Sequence, residues 1–134
     1  CEVLARHDAG FDPHVLAGVH AVAGPADLDA ARAEIQAIRV DPAVQAYMVA
    51  IARATRQSPS LVLGVSPRGA AMLLHAGKAW AWLAGRPFVT PDEVKAIAKA
   101  TLRHRLVVRP EVELEGGTAD GILDTVLATV AVPR

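Results

Sequence analysis

Three capping residues, Asp41, Ser66 and Thr90, are each followed directly by proline and then by an apolar stripe of helical period. Their side-chain oxygens can accept hydrogen bonds from the free N–H groups of a first turn. Proline at the first helical position loses no bond, because its N–H would be unpaired there. After Pro42 the stripe is Val44, Tyr47, Met48, Ile51, Ala52 and Thr55, and Ser58-Pro59 ends it. After Pro67 it is Ala70, Leu73, Leu74, Gly77, Trp80 and Ala81, with Gly85 as the stop. After Pro91 it is Val94, Ile97, Ala98 and Leu102, and Glu93 stands where a capping box needs an acid.

The flanking segments extend the same pattern. Glu2 to His7 has the character of a helix end, stopped near Asp8-Ala9-Gly10. Phe11 to Gly24 is a loop with room for a short strand over Val19 to Ala23. Leu28, Ala31, Ile35 and Ile38 give a helix over Pro25 to Ile38. Leu106 to Gly117 is expected to be non-helical: Pro110 breaks it, and Val112 and Leu114 alternate with Glu111, Glu113 and Glu115. Thr118 starts a last helix carrying Ile122, Leu123, Val126, Leu127 and Val130. The expected fold is mainly α, a compact bundle of five to six helices in one domain over residues 1–134, with room for one short strand pair. Alanine supplies much of the 52% hydrophobic share and aromatics only 4%. That composition suits close helix packing better than a β-sandwich.

Charge and cysteine content exclude several functions. The 14 basic and 14 acidic residues cancel, which removes the basic excess of a nucleic-acid footprint. No apolar run is long enough to span a bilayer and no secretory signal is visible. The single cysteine, Cys1, cannot form an internal disulfide, which fits a reducing, cytoplasmic setting. It also lacks a supporting histidine constellation for nucleophilic work. The five histidines show no metal-ligand spacing. His7, His14 and His20 are loop or helix-end residues.

The stretch Gly64-Val65-Ser66-Pro67-Arg68-Gly69-Ala70 resembles the segment that carries the sensor 2 arginine in MoxR-type AAA+ ATPases. The resemblance continues through Ala76-Gly77-Lys78-Ala79-Trp80-Ala81-Trp82-Leu83-Ala84-Gly85-Arg86, through Phe88-Val89-Thr90-Pro91-Asp92-Glu93-Val94, and into Leu102-Arg103-His104-Arg105-Leu106. Ala54-Thr55-Arg56, ending a helix before a proline, and the late Glu-Gly turn also fit. The resemblance implies the helical lid of a ring ATPase, hexameric and cytoplasmic, with the first residues as the end of the linking helix. It implies ATP and Mg²⁺ in the full-length protein and chaperone-like remodelling of a client complex. The partners implied are its own AAA+ core, neighbouring subunits and a von Willebrand A domain protein, with no nucleic acid and no membrane. No G-x-x-x-x-G-K-[ST] loop or paired Mg²⁺-site acids occur in this chain, so the isolated domain is expected to hold no cofactor and to be inactive. A helical protein-interaction module with no nucleotide role is the competing function.

Arg68, with Pro67 beside it, is the candidate site. A cation in a first helical turn is disfavoured by about 0.3–1 kcal/mol, because that end of the helix is positive. An anion would reconcile the two, since free N–H groups there bind anions and a guanidinium holds phosphate oxygens. The resemblance assigns Arg68 the sensor 2 role, contacting the γ-phosphate and the transition state. The bland alternative is a surface pair with Asp92 or Glu93. Lys95, Lys99 and Arg103 recur every four residues and suggest a solvated face or a contact surface. His104 and Arg105 sit at a helix end, where capping accounts for them. Trp80 and Trp82 cannot share one helix face, so one belongs to the core and the other is partly exposed.

Overall fold

The computed structural model describes residues 2–11 and 20–133. The chain divides into two packed units, Cys1–Ala31 and Arg32–Arg134. In the first, α1 (Glu2–Asp8) carries an Arg6–Glu2 ion pair of 2.7 Å one turn apart and buries none of its residues. The helix α2 (Pro25–Ala37) begins here and runs on into the second unit. Asp27 Oδ2 accepts the Gly24 N–H at 2.7 Å, which holds its first turn. The strand expected over Val19 to Ala23 does not form at residues 20–23. Cys1, His14 and Val19 lie outside the described residues.

The second unit holds the core. It runs α2, β1 (Arg39–Val40), α3 (Pro42–Gln57), β2 (Leu61–Leu63), α4 (Pro67–Leu83), β3 (Phe88–Val89), α5 (Pro91–Leu102), a 3-10 turn at Arg103–Arg105, β4 (Val107–Val108), α6 (Pro110–Leu114) and α7 (Ala119–Thr129). The three cap-plus-proline starts are where the sequence placed them. Asp41 accepts the Ala43 N–H at 2.8 Å, and Ser66 Oγ accepts the Gly69 N–H at 3.2 Å. Glu93 returns the third cap by accepting the Thr90 N–H at 2.7 Å and the Thr90 hydroxyl. All six residues of the α3 stripe are buried. With Leu73, Ala81, Val94, Ala98, Leu102, Leu123 and Val126, the five apolar ones form one core, and α4 packs most extensively on α5.

Three expectations need correction. The α4 stripe does not bury Trp80, which is 49% exposed. Trp82 packs against the core instead, and its indole N–H donates to Glu34 at 2.7 Å. Pro110 does not break the chain: it occupies the first turn of α6, where it gives up no hydrogen bond. Glu111 and Glu113 are then first-turn acids, favoured by the helix dipole, and not alternating strand residues. Finally, the described residues form two short strand pairs where one was expected. β1 pairs with β3 in parallel, Arg39 opposite Phe88. β2 pairs with β4 antiparallel, Leu61 opposite Val108 and Leu63 opposite Val107.

Candidate functional site

The second strand pair positions the candidate arginine. β2 leaves the end of α3 and must turn at once into α4. Gly64 makes the turn possible: a Cβ there would sit 2.6 Å from the Arg56 backbone N and 2.7 Å from the Thr55 carbonyl carbon. The buried Thr55 hydroxyl fixes the turn. It donates to the Ala52 carbonyl at 2.8 Å and accepts the Val65 N–H at 2.9 Å. Val65 is fully buried, Ser66 caps, Pro67 sets the first turn, and Arg68 follows on the surface. Pro67 also lines a small apolar groove between α3 and α4 with Val49, Ala70 and Leu74.

The electrostatics of this turn are one-sided. Every other described α-helix has an acid in its first turn or as its cap, namely Glu2, Asp27, Asp41, Asp92 with Glu93, Glu111 with Glu113, and Asp120. α4 has neither, and carries Arg68 instead. Among the described residues Arg68 has no hydrogen-bond or ion-pair partner. The pairing with Glu93 weighed above does not form. Glu93 is 3% exposed and bonds Arg86 Nη1 at 2.5 Å. Burial pushes the Glu93 carboxyl up, but the Thr90 donors and the Arg86 guanidinium outweigh it and hold it below the usual glutamate range. The buried Tyr47 hydroxyl is pushed up by desolvation first and by the charge of Asp92 second.

The 3-10 turn brings a second arginine to the same place. Arg105 is half-buried, and its Cδ would lie 3.4 Å from a Cβ at Gly69 in the first turn of α4. Its Nε is buried and has no partner among the described residues. Arg105 does stand in the last turn of the 3-10 helix, as expected, but its Nε caps no carbonyl there. The turn is closed by the Leu106 N–H bonding the Arg103 carbonyl at 3.4 Å. The only hint in the sequence was a glycine directly after Arg68, which implies a close neighbour without naming it.

Two further basic residues, Lys99 and Arg103, have carboxylate partners within the fold. Lys99 Nζ lies 2.6 Å from Asp124 Oδ1 and Arg103 Nε 3.2 Å from Asp120 Oδ1, tying α5 to α7. The Arg103 N–H itself points at the Lys99 carbonyl, also at 3.2 Å, so its pairing with Asp120 is ionic and not a hydrogen bond. Another groove runs along β1 and β3, where Lys78 Nζ is committed to the Gln36 carbonyl at 2.8 Å. Among the described residues no three His, Cys, Asp or Glu side chains gather as a metal site requires, and no helix is long and apolar enough to cross a membrane.

The fold has counterparts in known proteins. The AAA lid domain family matches residues 53–126, more than half of the chain, from the last turn of α3 through the buried residues of α7. The chain belongs to that family. The lid is 42% identical to YeaC, an uncharacterized protein of Bacillus subtilis, over 75% of this chain and 31% of that protein. It is 29% identical to the protein MoxR of Methylorubrum extorquens, over 98% of this chain and 45% of that protein. It is 30% identical to the chaperone MoxR1 of Mycobacterium tuberculosis, over 66% of this chain and 26% of that one. A solved structure assigned as an ATPase, from Cytophaga hutchinsonii, superposes with a TM-score of 0.72 at 27% identity, over 77% of this chain and 34% of that one. The chain is a lid domain of the MoxR family of AAA+ proteins. It spans less than half the length of these relatives.

Proposed function

We propose that this lid closes over a nucleotide held by the rest of a longer AAA+ ATPase, and that Arg68 is its sensor 2 residue. The observation that carries the reading is the first turn of α4, an acid-free helix end bearing an exposed arginine without a partner among the described residues. The N–H groups of that turn and the guanidinium favour the same ligand, a phosphate anion. In phosphoryl transfer the charge spreads over the γ-phosphoryl oxygens, and a cation placed there lowers the barrier. Pro67 fixes the backbone that presents Arg68. The residues of this chain fit the phosphate of ATP. Among the described ones none forms an acidic cluster for Mg²⁺, which the core would have to hold. The lid's motion on loss of the γ-phosphate would pass hydrolysis on to a client. The setting is a cytoplasmic hexameric ring with chaperone-like activity and a von Willebrand A domain partner.

The competing reading, a helical interaction module without nucleotide, draws on the exposed Val62, Leu63 and Val107 of the second strand pair. ATP turnover by the full-length protein separates the two. Arg68→Ala is expected to lower turnover about 100-fold, the loss usual for one transition-state donor. Turnover equal to wild type would favour the interaction module.

A further inference from the structure

We propose that Arg105 is a second phosphate-contacting residue, sharing with Arg68 the terminal phosphoryl group at the first turn of α4. This rests on the sensor 2 reading of Arg68 and extends it to a residue on a different element. The chain carries Arg105 there by a specific route. The 3-10 turn follows α5, and the antiparallel pairing of β4 with β2 returns the backbone to the segment that enters α4. The Arg105 stem then lies over Gly69, a buried position where a Cβ would also meet Val65 Cγ1 at 2.7 Å.

What sets Arg105 apart is an Nε that is both buried and without a partner, whereas the other arginines that lack a carboxylate among the described residues, Arg39, Arg53, Arg56, Arg68 and Arg109, are exposed. Arg86, Lys99 and Arg103 each have a carboxylate within 3.2 Å. Arg105 has a buried Nε with no acceptor, and like Arg68 it has no carboxylate among the described residues. Burying an unpaired N–H is costly, and holding it beside the positive end of a helix adds to that cost. A dianionic terminal phosphoryl group offsets this cost, because a guanidinium presents several donors in one plane and two guanidiniums can share its three free oxygens. The packed stem over Gly69 also explains why the residue is arginine: the apolar part fills space while the head stays available.

The test uses the full-length protein, with affinities for AMP-PNP and ADP measured by displacement of a fluorescent nucleotide and the melting temperature measured without nucleotide. Arg105→Met keeps the stem over Gly69 and removes the donors. It is expected to weaken AMP-PNP about tenfold, one charge-assisted bond, to leave ADP within about twofold, and not to lower the melting temperature. Arg105→Lys should fall between Arg105→Met and wild type. Unchanged AMP-PNP affinity in Arg105→Met would overturn the proposal. So would an equal loss for both nucleotides with a lower melting temperature, which marks a packing role. Arg68→Ala is measured alongside. If it weakens AMP-PNP while Arg105→Met does not, only the role of Arg105 fails. If neither matters, the sensor 2 reading fails as well.

Discussion

Arg86 Nη1 lies 2.5 Å from Oε1 of Glu93, a residue that is 3% exposed and that also closes the cap of α5. One carboxylate thus joins the loop after α4 to the start of α5, the two most extensively packed helices. Arg86 is half exposed, so the ion pair itself is partly screened. Loss of Glu93 removes the cap and this tie together. Glu93→Ala is expected to destabilise the chain by about 1–3 kcal/mol in denaturant melts.

The acid limb of stability should carry the same signature. Glu93 is held below its ordinary value in the folded chain. A depressed carboxyl contributes stability that is fully present above its unfolded value, about 4.3, and that is lost as pH falls through the lower folded value. Glu93→Gln should therefore lose stability at neutral pH and show a flatter decline below about pH 4.3. Melting temperatures against pH, with wild type and variant falling in parallel, would contradict this.

Caps such as that of Glu93 were legible in the sequence because their chemistry is local. Asp41, Ser66 and Thr90 each satisfy N–H groups within three residues, and the stripes that follow are fixed by helical period alone. The strand pairs were not legible, since β2 and β4 are two or three residues long and find each other across α4 and α5. α6 was misassigned because Pro110 either breaks a chain or starts a short helix, and periodicity over so short a segment does not decide between them. Arg68 could be singled out from its position after a cap. The close approach of Arg105 to Gly69 depends on that same non-local pairing, and the glycine alone does not say which residue approaches it.

Thr55 is a structural hydroxyl whose effect should reach the candidate site. It is fully buried, and it is the acceptor for the Val65 N–H. Thr55→Val keeps the shape and leaves that N–H buried without a partner, a loss of about 1–3 kcal/mol. Thr55→Ser keeps the acceptor and should lose less. Amide hydrogen exchange at Val65 gives the direct readout: faster exchange in Thr55→Val than in Thr55→Ser is expected, and equal rates would show that the bond does not hold the turn.

Gly64 should tolerate no side chain. The atoms a Cβ would meet are backbone atoms of Thr55 and Arg56, which cannot rotate away. Gly64→Ala must therefore displace β2 from the end of α3, and a destabilisation of about 3 kcal/mol, at the upper end of overpacking effects, is expected. Gly24→Ala is the control, since its Cβ would meet only the Asp27 carboxylate, at 3.8 Å. A chemical melt in which the two variants match would refute the steric account.

Arg68 should reveal itself by what its loss does not do. A cation at the start of a helix opposes the dipole by about 0.3–1 kcal/mol, and no carboxylate among the described residues offsets this. Arg68→Ala should thus leave the folded stability of the chain unchanged or slightly raised, and Arg68→Glu should raise it by up to about 1 kcal/mol at low salt. The gain should shrink as ionic strength increases, because the interaction is exposed and screened. A surface ion pair predicts the opposite sign for both variants. Stability that rises when Arg68 is replaced would mean the residue is kept at some expense to the fold, as expected of a group whose partner is an anion the chain does not itself supply.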